Sequence, residues 1–228
     1  MPALIANYRN QAYATQLEKS VSMFEQGFKK MLADDGVDSL EHTVLFSSIE
    51  GDSYGQLLDY SSNDGKKFVE GMKKYFKIIS VNTVYVDTYG GGKAANGGVL
   101  YFSDGSSISA SFRSTLSYGN YSNDCEQYKA HGVNFCGFIG GVTIDVNGDK
   151  KPNILGKDQF AFSLSDNARL IPVYGKEFSN FYGGHAPYWR TNSSACGVPG
   201  EKINISTNSS YAGCAARIIE NGWKIDYL

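Results

Sequence analysis

The strongest constraint on this chain lies in its opening stretch. From Ala3 to Leu32 there is no proline, and Gly27 is the only glycine. Leu17, Val21, Phe24, Phe28 and Met31 recur at steps of four and three, the spacing that lines one face of an α-helix. Lys19, Gln26, Lys29 and Lys30 fall mostly off that stripe, and Asp34, Asp35 and Gly36 supply a stop. The stripe occupies only the second half. It must be buried on the rest of the chain, whereas the less regular segment from Ala3 to Tyr13 is expected to project away and stay more exposed.

The remainder reads as a sheet preceded by one more helix. Phe68, Met72 and Phe76 predict a helix over 65–79. Thr83–Asp87, Gly98–Phe102, Ser107–Phe112, Gly141–Asp145 and Gln159–Leu164 predict strands, with Ala168–Val173 a further candidate. Asp104-Gly105 between the second and third of these is a hairpin turn signal. A short helix is expected over 212–220, ended by Asn221-Gly222. Helices first and an antiparallel sheet after them define an α+β class. Residues 1–36 are then an N-terminal helical stalk and 37–228 a loop-rich head.

Hydrophobic residues make up 42% of the chain and charged residues 19%, a globular composition. A net charge of -2 argues against a dedicated nucleic-acid surface. Cys125, Cys136, Cys196 and Cys214 allow three disulfide pairings. Pairing of Cys125 with Cys136 and Cys196 with Cys214 is expected, because each closes a short Gly/Asn-rich loop. Zinc is disfavoured by the absence of any C-x-x-C pair and by only three histidines, His42, His131 and His185. The four N-x-[ST] sequons, at Asn120, Asn192, Asn204 and Asn208, mark polar loops.

The most distinctive internal segment runs from Ile144 to Asp158. Asp145, Asn147 and Asp149 alternate around Gly148, and Asn153 and Asp158 follow. Oxygen ligands at this spacing can wrap Ca²⁺, as in the first half of an EF-hand loop, although Gly156 stands where the bidentate acid belongs. The competing reading is an Asx-rich turn whose side chains hold backbone N–H groups. No G-x-S-x-G, H-E-x-x-H or phosphate-cradling motif occurs, and Gly90–Gly92 lacks the context of a nucleotide loop. His185 lies among residues that supply no catalytic partner, so no enzyme activity is expected. Tyr118, Tyr121, Tyr182, Tyr188 and Trp189 fall in loop-like segments and either pack beneath loops or bind a surface ligand.

Three segments together resemble type IV pilin-like proteins: Met1-Pro-Ala-Leu-Ile-Ala-Asn-Tyr-Arg9, the run from Asp145 to Asp158, and the ending from Cys214 to Tyr227. Pro2 matches the proline that follows the apolar segment in that family, and Leu17 to Met31 matches the stripe packed on the head. The leader, the glutamate near the mature N-terminus and the apolar stretch of the family are not among these residues. The resemblance implies that they precede Met1 in the full-length protein and anchor it in the inner membrane before assembly. It further implies a pilin or minor pilin of a bacterial surface filament, or fimbrium, serving adhesion, motility or DNA uptake. Its partners would be other pilin subunits, met through the N-terminal helix. A pseudopilin of a type II secretion system is the close alternative, and a secreted binding module the distant one.

Overall fold

The fold was obtained as a computed structural model, which describes residues 2–48, 63–87, 93–119, 125–183, 193–197, 200–203, 205 and 211–228. Helix α1 spans Pro2–Asp35. It ends where Gly36 takes φ 68°, a left-handed conformation that glycine adopts without a Cβ penalty. The N–H of Val37 then reaches back to the carbonyl of Leu32 at 3.1 Å, the long hydrogen bond that closes a Schellman-type cap.

A short 3₁₀ turn, Leu40–His42, leads into α2 (Val44–Ser47), capped by the Thr43 hydroxyl. Helix α3 is Asn63–Met72. The helix expected over 65–79 therefore stops early. Lys73–Tyr75 form turns, and Ile78 and Ile79 open a strand instead. The β-branched pair pairs with the sheet edge, which outweighs a helical spacing supported mainly by Phe76.

Six strands form one antiparallel sheet in sequence order: β1 Ile78–Asp87, β2 Lys93–Phe102, β3 Ser107–Ser117, β4 Phe138–Asp145, β5 Gln159–Ser165 and β6 Leu170–Pro172. The Asp104-Gly105 hairpin joins β2 to β3, with Leu100 opposite Ile108 and Tyr101 opposite Ser107. The last strand is shorter than Ala168–Val173. Ala168 has φ 65° and belongs to the turn before it. Helices α4 (Cys125–Ala130), α5 (Lys176–Phe181), α6 (Ser193–Cys196) and α7 (Cys214–Glu220) fill the connections and the tail.

The inner face of the sheet presents Leu100, Phe102, Ile108, Ala110, Phe112, Val142, Ile144, Phe160, Phe162 and Leu164, all buried. The period of two places their small neighbours Ser109, Ser111, Gly141, Thr143 and Ser163 on the other face. Leu17, Val21, Phe24, Phe28 and Met31 of α1 lie on the inner face, none more than 8% exposed. Phe24 meets Phe102 edge-on at 5.0 Å between centroids, and Phe28 meets Phe112 at 6.1 Å. Such edge-to-face contacts add roughly 0.5–1.5 kcal/mol each beyond area burial. A second cluster, around Tyr128, Phe135, Phe138, Ile171 and Phe181, sits between α4, α5 and the sheet.

Candidate functional site

Three features of α1 and the head fix what this molecule can offer a partner. The first is the division of α1. From Ala14 onward its apolar stripe is buried, whereas Ile5 is 68% and Tyr8 76% exposed. Among the described side chains of 5–13, only Asn10 is buried; Ala6 and Tyr13 are half-buried. Two large apolar groups therefore stand in solvent on a helix that continues past its own core. Among the described residues no helix is long and apolar enough to cross a membrane.

The second feature is the loop from Asp145 to Asp158. Asp158 is fully buried, and its two carboxylate oxygens accept from the backbone N–H groups of Asn153 (3.0 Å) and Ile154 (2.7 Å) and from Asn147 Nδ2 (3.2 Å). Asp145 accepts from the Asn147 N–H at 3.0 Å and from Gln159 Nε2 at 2.9 Å. Asp149 turns outward and accepts from the Tyr101 hydroxyl at 2.6 Å. Burial, reinforced by the charge of Asp158 and opposed by these hydrogen bonds, raises the Asp145 carboxyl from the usual 3.8 to about 6.

This arrangement does not fit a calcium ion held by Asp145, Asn147, Asp149, Asn153 and Asp158. The lone pairs a cation needs are already directed at N–H donors, and Asn153 contributes its N–H rather than an oxygen. No group of three or more His, Cys, Asp or Glu among the described residues is placed to hold a metal. The geometry is that of the Asx-rich turn. Asn147 also donates to the Tyr13 hydroxyl at 3.0 Å, so the loop clips the head to α1 where the exposed part of the helix begins.

The third feature is the C-terminal tail. Disulfides join Cys125 to Cys136 and Cys196 to Cys214, with Cα separations of 4.8 and 4.9 Å. Arg217 of α7 is 1% exposed, an expensive position for a cation unless it is fully paired. Its guanidinium donates to Asp226 Oδ1 (2.9 Å), the Cys196 carbonyl (2.8 Å) and the Glu201 carbonyl (3.0 Å), and stacks on the Tyr227 ring. The buried Tyr227 hydroxyl donates to the Gly156 carbonyl at 2.9 Å. Gly156, at φ 85°, lies so close to Tyr211 and Cys214 that a Cβ has no room. The Asp145–Asp158 run and the ending from Cys214 to Tyr227, far apart in sequence, are thus one packed unit.

Sequence spacing marked most of these residues but not their partners. Arg217 and Asp166 carry no local pattern. Asp166, 5% exposed, accepts from the Cys136 N–H at 3.1 Å, a contact that only the fold creates. Of the loop aromatics, Tyr118 and Tyr182 are each 44% exposed, and Tyr182 packs against Phe138, Phe178 and Phe181. Tyr121, Tyr188, Trp189, His185, Gly90–Gly92 and the four sequon asparagines lie outside the described residues.

These features define a disulfide-tied α+β head carried on a long N-terminal helix. The chain belongs to a family of unknown function (DUF6613), whose model matches residues 3–227. No curated protein and no solved structure matches it.

Proposed function

We propose that this chain is the head and adjoining helix of a type IV pilin-like subunit, a structural component of a bacterial surface filament. The observation that carries the reading is the division of α1: a buried stripe from Ala14 to Met31 and exposed Ile5 and Tyr8 beyond it. A helix that leaves its own core with apolar groups facing water gains by packing against copies of itself, since each buried apolar side chain contributes roughly 1.5–3 kcal/mol. Antiparallel heads packed against the second half of such a helix, with the tail held by a disulfide, suit a subunit that must keep its shape outside the cytosol. On this reading the partners are other subunits, and the location is the cell surface after anchorage in the inner membrane. The head carries no catalytic role.

Immunogold electron microscopy tests the proposal. Antibody to the head, applied to surface fibres sheared from the bacterium that encodes the chain, should label fibres along their length. Label confined to soluble protein in the medium contradicts the filament reading and favours a secreted binding module. Label confined to the envelope, with no surface fibres, points to the pseudopilin of a secretion apparatus.

A further inference from the structure

A cleft of about 340 Å³ opens between the segment after α1 and the ends of β3 and β5. Its walls are of two kinds. Leu116, Phe135 and the half-exposed ring of Tyr118 form an apolar side, and Asp38, Glu41 and Asp166 bring three carboxyl groups to the other. The positive groups on the rim are already engaged: Lys129 pairs with Glu126 at 2.7 Å, and His42 lies 3.7 Å from Glu41. Asp38 and Asp166 have no ion-pair partner among the described residues. Ser39, also on the wall, is 8% exposed, and its buried hydroxyl has no hydrogen-bond partner among the described residues.

An orphaned buried hydroxyl and uncompensated carboxylates are both costly, and both are relieved by a ligand that donates hydrogen bonds and carries positive charge. Burial and the charge of Glu41 push Asp166 upward, and burial with the charges of Glu41 and Asp166 does the same to the Tyr118 phenol. The carboxyl groups and the ring therefore face a common space. A metal ion is a poor occupant, because no group of three metal-binding side chains is assembled among the described residues. An organic ammonium suits the cleft better. Its N–H groups reach carboxylates and a hydroxyl, its charge lies against an aromatic ring, and its alkyl chain covers Leu116 and Phe135.

We propose that this cleft binds a primary ammonium group on a short alkyl chain, the chemistry shared by a lysine side chain and a free diamine. The site is independent of the filament reading and would persist in a secreted binding module.

The test is titration of the folded, disulfide-intact protein with butylammonium chloride, followed by ¹⁵N-resolved nuclear magnetic resonance. Saturable shifts are expected at Ser39–His42, Tyr118, Cys136 and Asp166–Asn167, with none from butanol or from sodium chloride at equal ionic strength. Glu41→Gln and Tyr118→Ala, both at accessible positions, should each weaken binding by about fivefold, the scale of one partly exposed charge or cation–π contact. Their melting temperatures serve as the folding control. Nα-acetyl-lysine N-methylamide and cadaverine separate the two sources, and the tighter of them names the natural ligand class. Equal shifts from sodium chloride, shifts elsewhere on the molecule, or unchanged affinity in a folded Glu41→Gln protein would overturn the proposal.

Discussion

Gly27 sits mid-helix, where alanine is ordinarily better by roughly 0.8–1 kcal/mol. Its reason is Phe76: a Cβ at position 27 would lie inside that ring, which also packs on Phe24 and Phe28. Gly27→Ala should therefore lower stability by about 1–3 kcal/mol despite its better helix propensity, a difference read from urea unfolding midpoints. Phe28→Asp buries an unpaired charge and should unfold or aggregate the protein, whereas Lys19→Asp loses only an exposed pair with Asp104, worth less than about 1 kcal/mol. Asp145 gives a pH signature. Its carboxyl is higher in the folded state than when unfolded, so it stabilises the fold while protonated; that contribution is complete below about pH 4 and gone above about pH 6. Asp145→Asn, with the Gln159 amide turned over to donate no longer but accept, should remove that slope from the wild-type difference curve. Chelator-treated protein should melt at the same temperature with and without added Ca²⁺; an upward shift would show the loop rearranging around the ion. The stripe residues were legible because helical period is local. Gly27 was visible only as a weak point, since the ring that requires glycine lies far along the chain.

At the level of elements, the covalent ties dominate the tail. Loops of 11 and 18 residues between paired cysteines contribute about 3 kcal/mol each in the chain-entropy account. Replacing Cys196 and Cys214 together by alanine should cost about 2–5 kcal/mol, measured by thermal unfolding, and should loosen Gly156 and Tyr227 with them. Mass spectrometry of non-reduced peptides should recover Cys125 with Cys136 and Cys196 with Cys214, and no crossed links. The hairpin at Asp104-Gly105 and the helix at the C-terminus could be read from turn residues and short-range pattern. The end of α3 and the length of β6 could not, because sheet pairing at Ile78 and the left-handed Ala168 are decided by neighbours in space. The Asp145–Asp158 segment was recognisable as a special loop. Its choice between cation and backbone as partner depended on where Asn153 and Ile154 aim their N–H groups, which residue type does not encode.

For the whole molecule, the question is why a helix should run beyond the surface it covers. The head is closed along its apolar faces: α1 from Ala14 covers the sheet, and the tail is held by Arg217 and a disulfide. Ile5 and Tyr8 are left outside that closure, joined to it through the hydrogen bond from Asn147 to Tyr13. A head-to-tail contact through this segment does not close on itself and propagates as a fibre. The most direct measurement places a photo-crosslinking amino acid at Tyr8 of the full-length gene product in its own host and irradiates intact cells. The account predicts a ladder of covalent multimers of this chain in the sheared fibre fraction. A single monomer band, with the label nowhere joined to a second copy, would contradict it.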